Sequence, residues 1–171
     1  GTEFARRAQA FHPACITGVR RTVRSSDPAF TSIHAIAELD SVLPETDLLV
    51  LALPSTAETV GILSRERIAL LPDSAFVVNV GRGTAIDQEV LCDALNAGQL
   101  AGAALDVVVP EPLPADHPLR RAKNLLLTPH VAGNMTLGYT CDKSVQMFCD
   151  DLENYAAGRP LAHLVDRKRG Y

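Results

Sequence analysis

The 171-residue sequence has no tryptophan, and aromatic residues make up only 5% of it. Its core must therefore be built from Val, Leu, Ile and Ala, with little ring stacking. Long apolar runs are missing as well: nothing approaches the roughly 20 residues of a membrane-spanning helix. There is no excess of positive charge. The formal charge of -4 argues against a nucleic-acid partner, which selects a basic face. The four cysteines, Cys15, Cys92, Cys141 and Cys149, show no CxxC pairing and no histidine at ligand spacing, so no metal site is expected. They read as small buried hydrophobes in a reducing compartment. No secretory leader is visible, and the expected location is the cytoplasm. The terminal "DRKRG" (166–170) reads as a solvated tail.

What is present is an ordinary globular composition, 47% hydrophobic and 21% charged, enough for one domain with a core. Strand-like and helix-like segments alternate. "TEFARRAQAF" places Phe4, Ala8 and Phe11 on one helical stripe. "ACITGV" (14–19), "DLLVLALP" (47–54), "AFVVNV" (75–80), "AGAALDV" and "NLLLTPH" read as strands. "AIAELDSVL" and "SRERIALLP" read as helices between them. Asp87 is placed to N-cap "QEVLCDALNAG", whose Gly98 offers a left-handed stop. Near the C-terminus Val145, Phe148, Cys149, Leu152 and Tyr155 mark a long amphipathic helix ending at Gly158. Strands that are apolar on both faces belong to a parallel sheet covered on each side. The expected fold is thus α/β: a doubly wound, Rossmann-type parallel sheet in three α/β/α layers.

In such a sheet, ligands bind beyond the carboxyl ends of the strands. The successive strand exits are Arg20–Arg21–Thr22, Pro54–Ser55–Thr56, Gly81–Arg82–Gly83, Asp106, and Thr128–Pro129–His130. Glu111 follows in the stiff loop "PEPLP". A lone strand-end arginine is usually a surface residue, and a lone glutamate in such a loop is usually exposed. A guanidinium, a carboxylate and an imidazole arriving together at one sheet edge point instead to a site.

"NVGRG", "ALDVVVPEPLPADHPL" and "LLLTPHVAG", in this order and spacing, resemble the D-isomer-specific 2-hydroxyacid dehydrogenases, NAD(P)-dependent two-domain enzymes that include glyoxylate and hydroxypyruvate reductases. The resemblance covers essentially the whole chain. It implies that Arg82 grips the substrate carboxylate and carbonyl, that His130 is the acid/base and that Glu111 pairs with it. The chemistry suits these residue types. A guanidinium meets a planar carboxylate with two parallel hydrogen bonds, and histidine exchanges protons near neutrality. A carboxylate within about 4–6 Å favours the charged imidazole. Gly81 and Gly83 are expected to let the main chain approach ligand and cofactor.

The dinucleotide fingerprint G-x-G-x-x-G lies between a strand and a helix, and Gly1 reads as its third glycine. The first strand, the two earlier glycines and the substrate-binding domain are expected to lie outside this chain. Residues 1–134 form the dinucleotide-binding domain in this division. Residues 135–171 form a C-terminal helix and tail packing toward the substrate-binding domain. An NAD enzyme places an acid at the end of the second strand, whereas this chain has Val19 followed by Arg20 and Arg21, with Arg24 beyond. NADP(H) is therefore the expected cofactor, with NAD(H) the alternative. By resemblance, Gly1, Thr22, Pro54, Ser55, Thr59, Val80, Gly81, Asp106, Ala132 and Gly133 contribute to the cofactor site, Asp106 facing the carboxamide or else simply capping its strand. The implied partners are a small 2-oxo acid and a second copy of the chain in a homodimer. The competing function is a nucleotide-sensing, corepressor-like regulator of the same fold.

Overall fold

The structure is a computed structural model that describes residues 1–23, 26–133 and 138–168. Arg24, the expected boundary at residues 134/135 and the end of the basic tail lie outside the described residues. Helix α1 (Thr2–Ala8) begins at its N-cap Gly1 and runs into a 3-10 turn, Gln9–Phe11. The expected apolar stripe is not its buried side: Ala5 is buried, while Phe4 and Phe11 are exposed.

Strands β1 (Thr17–Arg20) and β2 (Ser32–Ala35) pair in parallel, with Thr17 opposite Ser32 and Arg20 opposite Ala35. After the one-turn helix α2 (Leu39–Val42) comes β3 (Leu48–Leu51), then the one-turn helix α3 (Arg65–Ile68). Strand β4 (Phe76–Asn79), helix α4 (Gln88–Ala97), β5 (Gly102–Leu105) and β6 (Leu125–Leu127) complete a four-stranded parallel sheet in the order β3-β4-β5-β6. Its ladders run Leu48↔Phe76, Phe76↔Gly102 and Ala103↔Leu125. The parallel sheet is therefore present, in a two-stranded and a four-stranded part.

Successive side chains of a strand point to opposite faces. Leu51, Val77, Ala103 and Leu105 are buried and join one core with Ile68, Leu71, Val90, Leu91, Ala94 and Leu95. The alternate residues Leu48, Phe76 and Leu126 are half or more exposed. Helices on both faces were expected from the apolar strands. Within the described residues, one face is packed and the other presents its side chains to solvent.

Helix α4 follows the expected rules closely. The Asp87 carboxylate accepts the Val90 N–H at 3.2 Å, and Gly98 closes the helix at φ 73°. That left-handed conformation favours glycine. Helix α5 (Gly138–Ala156) has its expected extent, but Val145, Phe148, Leu152 and Tyr155 are exposed. The cysteines depart from expectation too. Only Cys92, on α4, is buried; Cys15, Cys141 and Cys149 are exposed thiols, the last two on the unburied surface of α5. Among the described residues, no helix is long and apolar enough to cross a membrane.

Candidate active site

Because β3, β4, β5 and β6 are parallel, their carboxyl ends open on one edge of the sheet. Beyond β4 the chain turns at Gly81–Arg82–Gly83, and a fully buried asparagine builds this turn. Asn79 Oδ1 accepts the Gly81 N–H at 3.0 Å, and its Nδ2 donates to the Arg82 carbonyl at 2.9 Å. A buried amide must find such partners, and here they fix the segment that carries Arg82. The Arg82 side chain is exposed, with Nη1 donating to the Gly81 carbonyl at 2.7 Å.

The two glycines of this turn are also required by the fold itself. A Cβ on Gly81 would lie 2.6 Å from the Leu53 nitrogen, and one on Gly83 would overlap the Val108 main chain. Close approach is needed, and its partners here are the neighbouring loops of the protein itself. The turn is thereby wedged between the segment after β3 and the segment after β5.

Asp106, at the end of β5, is nearly buried and gathers the loop after β6 around itself. Its Oδ1 accepts from Thr128 Oγ1 at 2.6 Å and from Val131 N–H at 2.9 Å; its Oδ2 accepts the Ala132 N–H at 2.9 Å. The Asp106 carbonyl accepts the His130 N–H, also at 2.9 Å. His130 sits at φ 55°, a conformation that costs a non-glycine residue roughly 1–3 kcal/mol and persists where its surroundings impose it. Burial opposes ionisation of Asp106, but the Thr128, Val131 and Ala132 hydrogen bonds outweigh it and hold the carboxyl below its usual range. The Asp106 carboxylate thus ties the end of β5 to the loop after β6.

The loop after β5 brings Glu111 back to the same edge. Glu111 Oε2 lies 2.8 Å from His130 Nδ1, and Oε1 accepts the Val108 N–H at 3.0 Å. The His130 hydrogen bond, then that of Val108, lowers the Glu111 carboxyl from its usual range; the charges of His130 and Arg82 act in the same direction. Glu111 and His130 are about as exposed as each other, at 38% and 47% of their side-chain surface. With Nδ1 turned to Glu111, the imidazole has Nε2 for a second partner. A carboxylate–imidazole pair with a guanidinium in electrostatic reach can bind an anionic carbonyl compound and exchange a proton with it.

The residues expected at a cofactor have more varied surroundings. Arg20, ending β1, pairs with Asp27 at 3.2 Å and stacks 5.0 Å over the Phe30 ring. Arg21 faces Glu58 at 3.7 Å, and Thr22 beside it is exposed. In the loop after β3, the nearly buried Thr59 donates to the Pro54 carbonyl at 2.6 Å and accepts the Thr56 N–H at 2.9 Å. Its hydroxyl is occupied in shaping the turn. Ser55 Oγ lies 3.0 Å from Thr84 Oγ1. Val80 is exposed, Ala132 is held by Asp106, and around Gly133 there is open space. Gly1 accepts the Ala5 N–H as the α1 N-cap. These features fit an anionic dinucleotide. Two guanidinium groups stand where an acid would repel a ribose 2′-phosphate, and the exposed turns line the strand edge beside the Glu111–His130 pair.

Sequence reasoning singled out Arg82, Glu111 and His130 but missed Asn79 and Thr84. Asn79 had a usable signal: one amide inside the apolar run "AFVVNV", which burial obliges to form hydrogen bonds.

Comparison with known proteins identifies the family of the fold. Residues 1–132 match the family described as "D-isomer specific 2-hydroxyacid dehydrogenase, NAD binding domain". Over 148 residues the chain is 39% identical to glyoxylate/hydroxypyruvate reductase A of Klebsiella pneumoniae (strain 342), covering 86% of this chain and 46% of that protein. The chain therefore spans about half the length of the curated relatives it matches. Among solved structures, it superposes with TM-score 0.84 and 34% identity on a D-isomer specific 2-hydroxyacid dehydrogenase from Xanthobacter autotrophicus Py2 in complex with NADPH and MES. That match covers 97% of this chain and 66% of the other. The NADPH-dependent glyoxylate/hydroxypyruvate reductase of Sinorhizobium meliloti, in complex with NADP and sulfate, matches with TM-score 0.84 and 29% identity over 98% of this chain and 53% of the other. The chain belongs to the NAD-binding domain family of the D-isomer specific 2-hydroxyacid dehydrogenases.

Proposed function

We propose that the protein reduces a small 2-oxo acid of the glyoxylate or hydroxypyruvate kind with NADPH. The observation that carries this reading is the 2.8 Å contact between His130 Nδ1 and Glu111 Oε2 at the strand edge that also bears Arg82. Arg82 holds the substrate carboxylate and draws on its carbonyl oxygen. His130, through Nε2, gives that oxygen its proton as the ketone becomes an alcohol. Glu111 keeps the imidazole oriented and stabilises its charged form. The reduced nicotinamide, when bound, supplies the hydride.

Arg20 and Arg21 hold the 2′-phosphate, with the Pro54–Ser55 turn, Val80, Gly81, Ala132 and Gly133 along the rest of the dinucleotide. Asp106 faces the carboxamide while its carboxylate holds the His130 loop. Residues 135–171 pack toward the substrate-binding half. The reductase names and NADP complexes of the relatives favour this reading over a nucleotide-sensing regulator.

The test is steady-state oxidation of NADPH by the full-length protein with glyoxylate and hydroxypyruvate. Turnover that requires His130 supports the reading; no turnover across a broad panel of 2-oxo acids overturns it.

A further inference from the structure

Glu111 stands in a proline-rich loop, and its side chain is more than one-third exposed. An exposed carboxylate in irregular backbone is normally free to wander, yet this one must stay on His130. A main-chain bond from the His117 N–H to the Pro114 carbonyl at 3.2 Å closes the end of the loop, and among the described residues side chains supply its other hydrogen bonds. Glu111 itself takes the Val108 N–H, and Arg120 donates to the Leu113 and Pro114 carbonyls at 2.6 and 2.8 Å. Between these lies the fullest main-chain contact, made by a glutamine 21 residues away. Gln88 Oε1 accepts the Val109 N–H at 2.9 Å, and Gln88 Nε2 donates to the Val109 carbonyl at 2.6 Å.

We infer that Gln88 is a positioning residue for the Glu111–His130 pair, its carboxamide clamping Val109 as a strand partner would. The inference rests on the proposed reduction. Gln88 is the first residue of α4, directly after the N-cap Asp87 and six residues beyond Arg82. The clamp therefore joins the segment bearing Arg82 to the loop bearing Glu111. The main-chain packing of Gly83 against Val108 is a second joint between the same two segments. An amide suits this role and an acid does not. A glutamate at 88 could take the Val109 N–H but would set a negative charge against the Val109 carbonyl.

The charged groups that bear on Glu111 are His130, which bonds it, and Arg82, which acts through its charge; the charge of His130 also lowers the Asp106 carboxyl. Released from Val109, the loop holds Glu111 less firmly against His130 and Val108. Its carboxyl should then titrate closer to the ordinary range.

The experiment compares Gln88→Met and Gln88→Ala with the wild type in the full-length protein. The readouts are turnover of glyoxylate, NADPH affinity by fluorescence titration, and the pH titration of the Glu111 carboxyl by 13C NMR. Methionine keeps the length and packing of the side chain without its hydrogen bonds, so it separates the clamp from folding. The expected result is a fall in kcat of about tenfold, unchanged NADPH affinity, and an upward shift of the Glu111 midpoint in both variants. A Glu111 midpoint and kcat equal to the wild type in Gln88→Met would overturn the inference. If the wild type turns over no 2-oxo acid, the proposed function fails. The Glu111 titration still decides whether Gln88 positions the carboxylate.

Discussion

The loops after β4, β5 and β6 differ sharply from the end of β1, which belongs to the separate two-stranded sheet. In the first region almost every polar group is committed at short distance. Asn79 ties its turn, Asp106 gathers Thr128, His130, Val131 and Ala132, and Glu111 meets His130 at 2.8 Å. In the second, Arg20 and Arg21 have longer ion pairs, at 3.2 and 3.7 Å, to Asp27 and Glu58. Such partly exposed pairs are worth little in water and can be exchanged for a stronger anion. The contrast matches two tasks. Proton transfer needs fixed atoms, whereas holding a phosphate needs charge that can turn toward it.

The contrast breaks most visibly at His130. His130→Ala is expected to lower kcat by about 10²–10⁴-fold with little change in NADPH affinity, measured by steady-state kinetics and fluorescence titration. Equal losses in both would mean that the two regions are not separate in function. The next effect lies in the cationic region. Replacing Arg20 and Arg21 by glutamine should raise the Michaelis constant for NADPH by about tenfold or more, as expected when charge-assisted phosphate contacts are lost, and leave NADH nearly untouched. Comparable damage to NADH would refute the assignment of these arginines to the 2′-phosphate.

Acidity sharpens the comparison. Asp106 and Glu111 are both held below the usual carboxylate range. A group whose folded form binds its proton less readily adds stability above its unfolded pKa, and that stability is lost as pH falls through the folded value. The protein should therefore lose thermal stability as it is acidified below about pH 5, and Asp106→Asn should flatten this dependence. A melting curve against pH with the same slope in both proteins would contradict that account. The smallest effect lies away from the edge: Asp87→Ala should reduce stability by about 0.5–2 kcal/mol through loss of the α4 cap, read by chemical denaturation.

Legibility in the sequence followed the range of the interactions. Strands β3 to β6 stood out because each is a run of apolar residues, and α4 because its cap Asp87 and its stop Gly98 are local signals. Strand β2 did not, because "SIHA" is four residues long with Ile33 as its one large apolar side chain. The packing of α1 and α5 was misread for a related reason. Periodicity marks which side of a helix is apolar but not whether anything covers it, and Phe4, Phe11, Phe148 and Tyr155 are exposed. The exposure of Cys141 and Cys149 follows from the same surface of α5.

In the site, Arg82, Glu111 and His130 were legible because a guanidinium, a carboxylate and an imidazole arrive together in three motifs at one sheet edge. The interactions that orient them were hidden. Asp106 reaches 22 to 26 residues along the chain, and Gln88 reaches 21. No spacing rule connects such partners before the sheet brings them together. The two glycines illustrate the same limit: their tight fit was legible, but the loops they fit against were not.

The central claim is that Glu111 and His130 work as one unit on a substrate held by Arg82. It is tested most directly by a double-mutant cycle in kcat/KM for glyoxylate, using Glu111→Gln, His130→Ala and the double variant of the full-length protein. Residues that act as a unit are strongly non-additive, so the double variant should be no slower than His130→Ala alone. Losses that multiply would show two side chains acting independently and would contradict the account.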